Sequence, residues 1–122
     1  MSVVEYRGYS VLMSVYHKEK PEYLKQAIES IQAQTYPTDD FVLVCDGPLN
    51  SELDAVITTK QQEMNGVLKV YRLDKNEGLG NALNAGINHC KNELVARMDS
   101  DDVAYPDRLS LIHISEPTRL QL

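Results

Sequence analysis

The stretch "ARMDSDD", Ala96 to Asp102, sets three aspartates in four positions directly behind an apolar run. Carboxylates that close repel one another and resist burial. A bound cation would resolve that conflict. In a D-x-D turn the outer carboxylates, Asp99 and Asp101, can converge on one hard divalent ion, Mg2+ or Mn2+, whose other ligands come from water and substrate phosphates. The ion would then join the acidic turn to a second anion, a diphosphate. The plainer alternative is a solvated turn in which Asp102 caps the segment that follows. The motif is short, so its position in the fold has to decide.

Three other stretches carry possible chemistry. Asp46-Gly47 closes an apolar run, where the carboxylate can accept from a nucleobase N–H and the glycine lets the backbone turn away; an ordinary Asp-Gly turn is the alternative. Ser14, Val15, Tyr16 and Glu19 lie at or just past the end of the first apolar run. Backbone groups there can bond a pyrimidine edge, and Tyr16 offers a stacking face or simply plugs a rim. "NEGLGNALNAG", Asn76 to Gly86, contains G-x-G but has Leu83 where a dinucleotide fingerprint needs its third glycine, and it follows the third strand rather than the first. Its small residues let a helix N-terminus approach a ligand such as phosphate, or let that helix pack closely on a sheet. His17, His89 and His113 have no metal-ligand spacing with one another or with a cysteine. No G-x-S-x-G and no Walker lysine motif occurs.

The elements that would position these residues alternate. "YSVLMSVY", "FVLVCDG", "LKVYRL" and "ELVARMD" read as four strands apolar throughout, the first buried on both faces and the third with an alternating pattern. Between the first two lies a helix with Leu24, Ala27, Ile28 and Ile31 on one face, Pro21 in its first turn and Pro37 beyond its end. Ser51 with Asp54 resembles a capping box opening a second helix, with Leu53, Val56 and Ile57 inward. A third helix carries Leu79, Ala82, Leu83, Ile87 and Cys90 on one face. The order predicts an α/β fold, three-layer α/β/α with a mainly parallel sheet and right-handed crossovers. Such sheets bind ligands beyond the carboxyl ends of their strands. All four candidate stretches fall at that edge.

Composition bounds the rest. The chain has 122 residues, 43% of them apolar, enough for one domain with a core. Its formal charge of −6 argues against nucleic acid as a partner. Cys45 and Cys90 sit in apolar segments and read as buried thiols in a reducing compartment. No run is long enough to span a bilayer, so any membrane association would come through segments not present here.

"VLMSVYHKEKPEYLKQAIESIQAQTYP", "FVLVCDGP", "NEGLGNALNAGI" and "ARMDSDDVAYPDRL" together resemble the inverting family 2 glycosyltransferases of the GT-A fold, especially bacterial members that build cell-surface polysaccharide. The resemblance runs from about Ser10 to Leu109. It implies a nucleotide-diphospho-sugar donor, UDP-sugar favoured, and a saccharide or lipid-linked acceptor, in the cytoplasm or at the inner face of its membrane. By resemblance, Ser14 to Tyr16 and Asp46 hold the base, with Glu19 and Ser100 in the same donor site. Asp99 touches the ribose or a metal-bound water, Asp101 binds Mg2+ or Mn2+ on the diphosphate, and Asn76 and Gly78 shape the pocket.

The chain departs from that family in two ways. The family's general base, an acidic residue that deprotonates the acceptor hydroxyl, lies in a second half that this chain does not reach. Residues 1–109 are therefore expected to be the donor-binding part of an incomplete domain, able to bind nucleotide and metal weakly without turnover. "SLIHISEPTRLQL", Ser110 to Leu122, has Pro117 where an amphipathic helix is expected. It reads as a non-native tail, of the kind an adapter read-through leaves on a truncated frame. Two other function classes are open. One is a non-catalytic α/β module that binds nucleotide or docks a partner. The other is a nucleotidyltransferase, for which "SVYHKEKPEY" lacks the glycine-rich loop.

Overall fold

Apolar side chains fill both faces of "SVLMSV", and in the computed structural model this segment is strand β1 (Ser10–Val15), buried at every position. The structure describes residues 8–34, 37–100 and 119–121. After β1 come α1 (Pro21–Gln32), β2 (Asp40–Cys45), α2 (Ser51–Glu63), β3 (Leu68–Arg72), α3 (Leu79–Ile87), β4 (Val95–Asp99) and β5 (Arg119–Gln121). Asp101, Asp102, His113 and most of the segment from Ser110 lie outside the described residues.

The strands form one parallel sheet in the order β3-β2-β1-β4-β5. The sequence predicts four strands. The fifth, three residues paired with Val95 to Arg97, falls in the segment set aside as a tail. It is too short for a periodic pattern to announce it.

Two cores follow from the alternation of side chains across each strand. Val11, Met13, Phe41, Leu43, Ala96 and Met98 face one way, beneath Leu24, Ile28 and Ile31 of α1 and Leu53 and Ile57 of α2. Leu12, Val42, Val44 and Val95 face the other way, beneath Ala82 and Leu83 of α3. Gly86 lets α3 come this close: a Cβ there would stand 2.6 Å from both Leu12 Cδ1 and Val44 Cγ2. Close packing, the alternative reading of the small residues in that stretch, therefore holds for Gly86.

The opening of α2 differs from the expected capping box. Asn50 is the N-cap, its Oδ1 accepting from Leu53 N at 2.8 Å, and Ser51 is already the first helical residue. An asparagine oxygen one position earlier meets the same orphan donors. Between α1 and α2, Lys60 is buried, donating to Glu29 at 3.0 Å, Gln32 at 3.1 Å and Glu63 at 2.9 Å. Burial alone would depress its ammonium, but hydrogen bonds to Glu63 and Glu29 hold it above its usual range.

The connections also fix where the sheet reverses. From β1 the chain moves outward through β2 to β3, then returns across to β4 on the far side of β1. The crevice between the ends of β1 and β4 is therefore the switch point at which such sheets take ligands. Among the described residues, no helix is long and apolar enough to cross a membrane.

Candidate functional site

The β1–β4 register ends at Ser14 beside Asp99, and the loops beyond that pair open a cavity of about 390 Å³. Ser14, Tyr16 and Glu19 come to it from β1 and its following loop. Asp46 comes from the end of β2, Asn76 and Gly78 from the loop after β3, and Asp99 and Ser100 from the end of β4. Eight residues singled out in the sequence thus share one cavity.

Among the described residues, Val15 does not join them. Val15 is buried in the core under α1, and its contribution is its carbonyl, which accepts from Asp46 N at 2.8 Å. Asp101 lies outside the described residues. One lining residue was placed elsewhere by the sequence reading: Leu79, assigned to the packing face of its helix, is 51% exposed and borders the cavity. As the first residue of α3 it stands where the helix has only just reached the sheet. Periodicity counts it with the core face; only its position at the helix end could have marked it.

Asp46 is 4% exposed. Its Oδ1 accepts from Glu77 N at 2.7 Å and its Oδ2 from Gly78 N at 3.1 Å. Both carboxylate oxygens therefore hold the loop after β3, a role the sequence did not suggest for a residue read as a base acceptor. Gly47 completes the junction. Its φ of +90° suits glycine, and a Cβ there would meet Asn76 N at 2.6 Å. Asn76 Oδ1 also accepts from Gly78 N, at 3.1 Å. The floor of the cavity on this side is thus fixed by side chain-to-backbone bonds.

On the other side Glu19 spans the switch point. Its Oε1 accepts from Lys20 N at 3.0 Å, and its Oε2 accepts from the Ser100 hydroxyl. Tyr16, 43% exposed, stands at the rim with its ring edge-on to His17, centroids 5.7 Å apart. His89 stacks on Tyr71 at 3.8 Å and takes no part in the cavity. Beneath the site, Cys45 is a free, fully buried thiol; burial pushes it up to about 11, with Arg72 pulling weakly down and Asp54 up. Burial and the protonated state it favours at neutral pH make this thiol poorly suited to act as a nucleophile or metal ligand.

Among the described lining residues three carry carboxylates, Glu19, Asp46 and Asp99, and none carries a cationic side chain. The donors are oxygens throughout, which fits a hard divalent cation and not a soft one. Among the described residues no group of three or more acidic, histidine or cysteine side chains could hold a metal by itself.

Known proteins resemble this chain in sequence and in fold. The family model described as "Glycosyl transferase family 2" matches residues 10–112, ending within the segment from Ser110. The amylovoran biosynthesis glycosyltransferase AmsE of Erwinia amylovora is 49% identical over 100 residues, covering 82% of this chain and 37% of that protein. An Escherichia coli protein named UDP-Gal:alpha-D-GlcNAc-diphosphoundecaprenol beta-1,3-galactosyltransferase is 41% identical over 104 residues, covering 85% of this chain. The chain spans 37% of the length of each of these two relatives. Among solved structures, S. aureus TarS 1–349 in complex with UDP-GlcNAc superposes with a TM-score of 0.70 at 28% identity, over 85% of this chain and 29% of that one.

Proposed function

The chain belongs to glycosyl transferase family 2 and has the GT-A fold, and from that premise we propose that its cavity binds the nucleoside diphosphate of a sugar donor with a divalent cation. The observation that carries this reading is the convergence of eight polar, acidic or flexible residues from four strand ends on the switch point, with no cationic side chain among those described. A diphosphate alone would be repelled by Glu19, Asp46 and Asp99, whereas a diphosphate carried with Mg2+ or Mn2+ is attracted. Asp99 and, by the resemblance, Asp101 are the residues that would hold the ion. When bound, it supplies charge stabilisation to the departing nucleoside diphosphate.

The chain's own residues divide the remaining work. Ser14 and Tyr16 flank the position for the base, the tyrosine ring offering a stacking face. Asp46 keeps the loop of Asn76 and Gly78 in place and presents its remaining acceptor capacity to a base N–H. The UDP-GlcNAc complex of TarS and the UDP-Gal donor named for the E. coli relative favour a uridine nucleotide. The same relative's diphosphoundecaprenol acceptor favours a lipid-linked or saccharide acceptor. The whole protein, in this proposal, transfers the sugar with inversion during cell-surface polysaccharide assembly, in the cytoplasm or at the inner membrane face. No residue here is assigned as the base that deprotonates the acceptor, so the chain is proposed to bind donor without turnover.

Titration calorimetry of the folded chain tests this. UDP is expected to release heat in the presence of Mn2+, with GDP as the comparison nucleotide, and chelating the metal should weaken binding by about tenfold or more. A folded sample that binds no nucleoside diphosphate, with or without Mn2+, rules the reading out.

A further inference from the structure

The three carboxylates of the cavity are not equivalent, and Glu19 differs from the other two in what it joins. The sheet ladder between β1 and β4 stops at Ser14 and Asp99. Past that pair the two chains leave as loops, outside the ladder. Glu19 bridges them. Its backbone N donates to Tyr16 O at 3.0 Å, closing the turn out of β1. Its carboxylate is then divided: one oxygen takes Lys20 N at the mouth of α1, and the other takes the hydroxyl of Ser100, 81 residues away. Ser100 is 6% exposed, so a hydroxyl deprived of this acceptor would be desolvated at a cost. A hydroxyl-to-carboxylate bond is among the stronger hydrogen bonds, and here its donor end is buried while the carboxylate is half-buried.

We propose that Glu19 is a positioning residue: through Ser100 it pins the acidic turn leaving β4 against the loop leaving β1, and thereby sets Asp99 at the cavity. Asp99 immediately precedes Ser100, so rotation of the Ser100 peptide would swing its carboxylate. Glu19 acts in this role by accepting a hydrogen bond, not by contacting the ion or donor directly. The functional readout rests on the donor-and-metal reading above.

Four variants of the chain separate the possibilities: Glu19→Ala, Glu19→Gln, Ser100→Ala and the double alanine. Each is first checked for native circular dichroism, then titrated with Mn2+ followed by electron paramagnetic resonance, and with UDP plus Mn2+ by calorimetry. Glu19→Ala and Ser100→Ala are each expected to weaken UDP binding with Mn2+ by about tenfold, and the double variant by about tenfold rather than a hundredfold, because both remove one interaction. Glu19→Gln should stay within about threefold of the parent, since its amide oxygen can still accept from Ser100 while the exposed Lys20 N–H and the amide NH2 turn to water. If Glu19→Gln falls as far as Glu19→Ala, the carboxylate contacts the ion or donor directly and the positioning role is overturned. Full additivity in the double variant overturns it as well. Parent-like binding by both alanine variants overturns it while leaving the donor reading intact. A parent chain that binds no nucleoside diphosphate overturns both.

Discussion

A carboxylate with two oxygens already engaged by backbone donors is a structural part before it is a ligand contact, and Asp46 is such a residue. Replacing it with alanine leaves the Glu77 N–H to water and the Gly78 N–H with Asn76 Oδ1 alone, and removes a charge-assisted pair of bonds at a nearly buried position. The expected loss is about 2 kcal/mol of stability by urea denaturation. Donor binding should weaken further, because the loop of Asn76 and Gly78 loses its anchor. If stability is unchanged and only binding falls, Asp46 acts on ligand alone. In the sequence, Asp46 was legible as a polar residue at a strand end, and its partners were not. They lie 31 and 32 positions away, a separation that no local pattern encodes. The same holds for Glu19 and Ser100. What a residue type can do is local information; what it is bonded to depends on which strand ends the topology brings together.

At the scale of elements the alternation of strands and helices was legible because β1 and β2 are buried on both faces and read as largely apolar runs, as does β4 apart from Arg97 and its terminal Asp99. Helix ends were less so: Asn50 caps α2 one residue before the expected position, and Leu79 borders the cavity instead of the core. Helix α3 shows why small residues resist such reading. It contains Gly80 and Gly86, which look alike in "LGNALNAGI". A Cβ on Gly80 would meet nothing within 4 Å, whereas one on Gly86 would press at 2.6 Å on Leu12 and Val44, both fully buried. Gly80→Ala is therefore expected to be neutral or to stabilise by up to about 1 kcal/mol through helix propensity. Gly86→Val should cost about 2–3 kcal/mol, since neither neighbour has room to retreat and α3 must lift from the sheet. Thermal denaturation of the two variants side by side checks this, and equal effects would mean that α3 does not sit on the sheet as described. Lifting α3 would also move the loop at its N-terminus, so Gly86→Val should weaken donor binding at a distance.

Taken whole, the molecule separates its two sheet edges by purpose. The carboxyl edge gathers acidic groups around a cavity; the amino edge uses a carboxylate to tie elements together. There Asp40, fully buried at the start of β2, accepts from Ser10 Oγ at 2.6 Å, Lys69 Nζ at 2.7 Å and Lys91 N at 2.8 Å. It thereby links β1, β3 and the turn before β4. The sequence did not single it out, because its setting among apolar residues gives no sign that three donors surround it. Burial pushes its carboxyl up, yet the bonds from Lys69, Ser10 and Lys91 outweigh burial and hold it below the ordinary value of 3.8. The sign of the pH effect follows. A carboxyl held low in the native state binds a proton less readily there than in the unfolded chain, so its stabilisation is full above about pH 4 and is lost as pH falls through the depressed native value. Asp40→Asn removes the charge and sets an amide donor among existing donors. It should destabilise the fold by about 2–3 kcal/mol at pH 7, with the deficit relative to the parent shrinking as both are acidified below about pH 4. Urea midpoints of the two proteins at a series of pH values measure this directly. A deficit that stays constant down to about pH 2 would mean that the aspartate's charge contributes nothing to holding the amino edge together, and that packing of the side chain alone accounts for the loss.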